Sequence, residues 1–411
     1  MKLEEEYKRF QFQYGIILLR TKRFQNLMDR LGQYRISKPV GWALLYLMPV
    51  AAAVGLFFFM VNLEALFSPS VHVIGVAVRG ITPLAYLGLP GINPYLPIVD
   101  GWVALIVAMV VHEGAHGVVA RSLGFPVKAS GLLLLLFLPI GAFVEVDETA
   151  LKAAKARDSG RILAAGASVN FVLGVIFLLL LFSVVSTMAP VAQGIGVGRV
   201  DTSSPAAAKG ISPGDLILTV NGVHYDDPAQ IVVGTWYRPG EAINLTVWRA
   251  GQVIAVNNLV LTANPGNASL GYLGVQDVHG YSELKAAVSG YTGSFFTKPI
   301  TYLCIPTFPR CESVAPFSDQ LAVFYTSSYG ESLVPLANLF YWFFFLNFNL
   351  AIFNALPIYP LDGGQAFRAG LKGLAGGRLN EVNLTRISAV VTAAVLLIIL
   401  SVPLAAYLNL I

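Results

Sequence analysis

Gly101-Trp-Val-Ala-Leu-Ile-Val-Ala-Met-Val-Val111 runs without a charge straight into His112-Glu113-Gly114-Ala115-His116. Continued to residue 121, the stretch is long enough for a bilayer crossing, which takes about 20 apolar residues. On a helix, residues i and i+4 share a face, so both imidazoles reach one metal ion. Glu113 lies beside them, placed to hold a water as general base. Ionisable groups within a membrane span are costly and mark function. A divalent cation offsets that cost, because it uses neutral imidazoles and favours an anionic carboxylate. The bland alternative, two histidines merely ending an apolar helix, leaves the cost unexplained.

The rest of the chain supports a membrane setting. Of 411 residues, 55% are hydrophobic and only 12% charged, against about 25% charged in a typical soluble domain. Too little polar surface remains to cover a soluble globule of this size. Stretches free of Lys, Arg, Asp and Glu predict five spans, near 41–63, 98–121, 162–188, 333–356 and 387–410. Residues 66–98 are apolar but carry Pro69, Pro83, Pro90, Pro94 and Pro97. We read them as an irregular or re-entrant loop, with a sixth crossing as the alternative. Residues 127–146 are apolar too, yet Gly131, Pro139 and Gly141 argue against a continuous helix. Non-helical backbone at membrane depth is tolerated where it is buried in protein or lines a cavity, so this segment is expected to be a re-entrant loop or hairpin facing a site.

Basic residues suggest an orientation. Residues 1–38 carry nine Lys/Arg, whereas 64–97 carry only Arg79. Arg121, Lys128, Lys152, Lys155, Arg157 and Arg161 fill the loop 121–161, and Arg368, Lys372, Arg378 and Arg386 follow the fourth span. The positive-inside rule then puts the N-terminus and both loops in the cytoplasm, with 190–331 and the C-terminus outside, in a multi-pass protein of the cell membrane. The first apolar run begins near residue 40, after a long polar arm, so a cleavable signal peptide is not expected. The arm's Phe10, Phe12, Tyr14 and Ile16-Ile-Leu-Leu19 suit either a surface-lying segment or a cytoplasmic helix. No basic run with interleaved aromatics suggests a nucleic-acid partner.

The resulting organisation has six parts: a basic arm at 1–38; the first transmembrane helix with the irregular loop at 39–97; and a core with the His-Glu helix, re-entrant loop and third span at 98–189. A β-rich domain at 190–265 follows, then a linker region at 266–331, and last a membrane segment at 332–411. In the β-rich domain, short strand-like runs alternate with Gly210, Pro213-Gly214, Asn221-Gly222 and Pro239-Gly240. Its Ser204-Pro205-Ala206, Lys209-Gly210-Ile211, Pro213-Gly214-Asp215 and Val220-Asn221-Gly222 resemble a PDZ domain. That resemblance implies capture of peptide termini by strand addition; a small barrel serving only as a cap is the alternative. Cys304 and Cys311 fall in the predicted external segment, where a disulfide or two free thiols are both open.

Catalytic zinc takes three protein ligands and one open position, so the His pair needs a third donor. Asp362 ends an uncharged stretch in Asn354-Ala-Leu-Pro-Ile-Tyr-Pro-Leu-Asp-Gly-Gly364, and Glu145, Asp147 and Glu148 compete. Three separated motifs now carry a resemblance: His112-Glu113-x-x-His116, Gly166-Ala-Ser-Val-Asn170, and Asn354-x-x-Pro357 with Leu361-Asp362-Gly363. Together they resemble the site-2 protease family of intramembrane metalloproteases over about 98–370, with Ala167 where that family usually has Pro. The resemblance implies a polytopic α-helical fold of five to six transmembrane helices with an inserted extracytoplasmic PDZ-like domain. It implies one Zn2+ per chain on His112, His116 and Asp362, with Glu113 activating water; the charge-based topology puts these residues near the cytoplasmic side of the bilayer. It places Asn354 and Asn170 near the site, holding substrate backbone or the oxyanion. The residues alone say only that amides in apolar spans need partners, and interhelical hydrogen bonds would serve. The expected activity is endoproteolysis of transmembrane or membrane-proximal segments of membrane proteins, in regulated intramembrane proteolysis. The rival reading is a non-catalytic membrane scaffold that binds peptides through its PDZ domain.

Overall fold

The computed structural model of the chain describes residues 10–13, 16–67, 79, 88–135, 138–229, 237–293, 295, 297–307, 314–376 and 378–410. It forms two compact units, one of residues 1–178 with 341–411, the other of residues 179–340. The boundaries between them fall inside two long helices.

The first unit is helical. Its longer helices are α1 (Lys22–Gly32), α2 (Ser37–Glu64), α3 (Ile98–Ser122), α4 (Ala156–Val185), α5 (Leu333–Ala355), α6 (Asp362–Ala375) and α7 (Glu381–Tyr407), and a short one spans Glu148–Ala153. Among the described residues, five stretches are long and apolar enough to cross a membrane: Ser37–Val61, Ile98–Ser122, Ala156–Val185, Gly330–Ala355 and Glu381–Tyr407. These coincide with the five spans expected from the charge-free stretches. Most of the segment 66–98 lies outside the described residues.

Small side chains bring the spans together, as is usual where lipid removes the hydrophobic drive between helices. Ala51 of α2, Ala164 and Ala167 of α4 and Ala355 of α5 form one buried cluster with Met48. Ala167, the departure from the family pattern, is fully buried there. A methyl group suits that tight contact.

Residues 127–146 form a hairpin, β3 (Val127–Leu135) and β4 (Leu138–Val146), as expected for a non-helical insertion. The arm before α2 departs from the helical expectation for it. It forms strands β1 (Phe10–Gln13) and β2 (Ile16–Arg20), which extend the hairpin into an antiparallel sheet of order β1-β2-β3-β4. The physical reason is non-local pairing: Ile16 to Arg20 lie opposite Leu135 to Gly131. Gly131 permits the approach, since a Cβ there would lie 1.8 Å from the Leu19 carbonyl oxygen. The arm then turns into α1, which lies along α3. Met28 is buried against Gly117, and Asp29 pairs with Arg121 at 2.8 Å.

The second unit is built on a six-stranded antiparallel sheet. Its path runs Gln252–Val260, Ala242–Arg249, Leu216–Val220, Ile195–Val200, Val275–Gly280, with Val223–His224 paired to Leu216–Val220. Asn221-Gly222, both at positive φ, turn the short hairpin, the chemistry that a two-residue turn demands. Val197, Ile211, Ile217, Val220, Ile243, Leu245, Val247 and Leu259 fill the core. Buried Asp215 takes two hydrogen bonds from the Arg249 guanidinium, each 2.6 Å. The outer strand Val275–Gly280 belongs to this sheet although it follows residue 265, where the sequence suggests a linker. Cys304 is disulfide-bonded, and Cys311 lies outside the described residues.

Candidate metal centre

α3 presents His112 and His116 one turn apart, both buried. Asp362, the first residue of α6, reaches both. Its Oδ2 lies 3.0 Å from His112 Nε2 and 3.1 Å from His116 Nε2. Burial alone would push the Asp362 carboxyl up, but the two imidazoles outweigh it and hold the group well below the usual carboxylate range. Among the described residues these three form the one group of His, Cys, Asp and Glu close enough to share a metal ion.

The local chain explains how Asp362 arrives. The segment after α5 folds back over its own end, and the first turn of α6 packs directly on that backbone. A Cβ at residue 363 would lie 2.3 Å from the carbonyl oxygens of Ala355 and Leu356, and one at 364 would lie 2.4 Å from the Ile358 carbonyl. Gly363 and Gly364 are therefore needed for close approach. Neither has the left-handed backbone that would be the other reason for glycine.

The donor set fits Zn2+. Two imidazoles and a carboxylate with room for a fourth ligand are a usual catalytic combination. Bonds of about 2.0–2.2 Å around a tetrahedral centre separate ligand atoms by roughly 3.3–3.6 Å, close to the spacing observed. Gly166 of α4 leaves the necessary clearance: a Cβ there would sit 2.4 Å from His116 Nε2 and 2.6 Å from His112 Nε2. The competing carboxylates whose side chains are described are employed elsewhere or exposed. Asp147 accepts from the Ala150 and Thr149 donors and pairs with Lys128 at 3.1 Å. These bonds hold its carboxyl below the usual range, the Thr149 hydroxyl contributing most. Glu145 is exposed on β4, and the Glu148 side chain lies outside the described residues.

Around the triad, α4 and β4 supply partners. His116 Nδ1 faces the Ile162 carbonyl oxygen at 2.7 Å. His112 Nδ1 faces the Asn170 amide at 3.4 Å. The backbone N–H of Val144 donates to Glu113 Oε2 at 2.9 Å, and β4 is the outer strand of its sheet. Asn354 instead donates to the Leu350 carbonyl of its own helix, 3.0 Å away. The sequence carries no signal for Ile162 and Val144, because both act through backbone groups.

The sequence profile described as "Peptidase family M50" matches residues 101–399. The chain is 27% identical to the uncharacterized protein MJ0971 of Methanocaldococcus jannaschii over 361 residues, 87% of this chain and 78% of that protein. It is 27% identical to the zinc metalloprotease RasP of Shouchella clausii over 217 residues, 52% of this chain and 50% of that protein.

Proposed function

The chain belongs to peptidase family M50 and is a metalloprotease of site-2 type; from that premise we propose that it is an intramembrane zinc endopeptidase cutting transmembrane or membrane-proximal segments of membrane proteins. The observation that carries the proposal is the convergence of His112, His116 and Asp362, with Glu113 adjoining, inside a unit of apolar membrane-length helices.

His112, His116 and Asp362 hold one Zn2+ per chain. When bound, zinc supplies Lewis acidity to a water and to the scissile carbonyl. Glu113 takes a proton from the water and delivers it to the leaving amine nitrogen. Water enters, on this reading, from the cytoplasmic side near His116 and Asp362, the side that the positive-inside rule favours for the basic loops. Asn354 stands on the helix leading to Asp362, where its amide serves substrate backbone or the developing oxyanion.

A helical substrate hides its carbonyl carbons, so the scissile segment must unwind. β4 offers an outer edge for strand addition, and its Val144 amide already touches Glu113. A strand paired there runs past the general base. Val144→Pro removes that N–H and obstructs pairing, and should reduce cleavage without loss of zinc. Unchanged cleavage would end the pairing scheme.

We read the β-rich unit as an extracytoplasmic PDZ domain that binds peptide termini or filters substrates by size; its sheet ends on the outer strand Val275–Gly280. A non-catalytic scaffold would lack a ligand or the base, and here His112, His116, Asp362 and Glu113 are all present. The test is reconstitution into lipid vesicles with a membrane-spanning reporter and mass-spectrometric mapping of the products. Cuts inside the apolar segment or at its cytoplasmic border are expected. Cuts confined to soluble tails would overturn the intramembrane reading.

A further inference from the structure

We propose that Asn170 is a positioning residue for the metal ligand His112, its amide oxygen accepting a hydrogen bond from Nδ1–H so that Nε2 is presented to the metal. The inference rests on the reading that His112, His116 and Asp362 hold the ion.

Residues 162, 166 and 170 of α4 recur at i, i+4 and i+8, and so lie on one helix face. That face meets both imidazoles. At 162 the backbone carbonyl accepts from His116 Nδ1 at 2.7 Å. At 166 the missing side chain leaves space beside both Nε2 atoms. At 170 the amide stands 3.4 Å from His112 Nδ1.

An imidazole that ligates through Nε2 as a neutral ring carries its proton on Nδ1, and that proton needs an acceptor. His116 has one in Ile162. Asn170 is the group that faces the corresponding atom of His112. It is fully buried, and its Oδ1 has no hydrogen-bond partner among the described residues. A buried acceptor without a donor and a ring nitrogen requiring an acceptor thus occupy adjacent positions. A half-turn of the amide exchanges its nitrogen and oxygen, and the network decides between the two placements. With Oδ1 toward His112, the orphaned acceptor and the Nδ1–H satisfy one another. Both histidines then have the same tautomer, each set by the same face of α4.

This assigns Asn170 a role in holding metal, in place of one in holding substrate or oxyanion. Loss of such a partner typically weakens metal affinity 10–100-fold. The measurement is zinc affinity of the full chain in detergent, by competition with a fluorescent chelator, for the unaltered protein and for Asn170→Leu, Asn170→Ala and Asn170→Asp. Leu and Ala remove the acceptor and should weaken zinc by about 10–100-fold. Asp keeps an acceptor at the same reach and should restore affinity to at least that of the unaltered chain. Substituting Co2+ adds a spectroscopic check: the visible bands should shift in the Leu and Ala variants and return in the Asp variant. Zinc affinity unchanged in both Leu and Ala would overturn the assignment, and reduced cleavage in the same variants would return Asn170 to the substrate. Asp binding as weakly as Leu would also overturn it. Absence of zinc from the unaltered chain would instead bring down the metal reading beneath it.

Discussion

Glu113→Gln is expected to leave zinc bound and to reduce cleavage by about 10²–10⁴-fold, the range that loss of a positioned general base produces. The substitution is nearly isosteric. A Gln carbonyl oxygen still accepts from the Val144 amide, so the contact between α3 and β4 survives. His112 and His116 flank the change on the same helix, and neither touches Glu113 as a hydrogen-bond partner. Metal content therefore stays near one ion per chain while the proton acceptor is gone. Elemental analysis beside initial rates on a membrane-spanning reporter separates the two. Full activity in the variant would remove Glu113 from the chemistry. Lost activity together with lost zinc would mean that Glu113 supports the metal.

Asp362→Ala is expected to do the opposite, releasing the metal. It removes the single carboxylate that both imidazoles face and leaves two protein ligands where catalytic zinc takes three. Affinity should fall by more than about 100-fold, the upper end of what loss of an outer partner alone costs. Cleavage should fall with it. Of the competing carboxylates described, neither stands ready to substitute, since Asp147 is committed to Thr149, Ala150 and Lys128 and Glu145 is exposed. Zinc content equal to that of the unaltered chain would remove Asp362 as a ligand.

What the sequence reveals of this molecule follows the range of each interaction. The His112/His116 pair is legible because its geometry is a local period. Asp362 is legible because a carboxylate after a long uncharged stretch stands alone against its background. The spans are legible for the same reason in reverse. β2 is not, because Ile16-Ile-Leu-Leu19 has neither alternation nor helical period. It becomes a strand only by meeting residues 131–135, which are themselves a leucine run. The outer strand Val275–Gly280 is hidden likewise, its partner Ile195–Val200 lying far back along the chain. Asn170 shows the limit for a single residue. An amide in an apolar helix announces that it needs a partner, and only the fold shows that the partner is His112. The glycines after Asp362 suggest a tight bend, whereas the structure shows close packing of backbone on backbone.

The distance along the chain between the two halves of the centre has a consequence for biosynthesis. His116 and Asp362 are 246 residues apart. At about 5–20 residues per second, the ribosome takes roughly 12–50 s to pass from one to the other. Throughout that interval the nascent chain already carries its base and its histidines in the membrane, yet lacks the carboxylate that closes the ligand set. If His112, His116 and Asp362 hold the ion as proposed, the protease is inert until the segment that follows its penultimate span has been delivered.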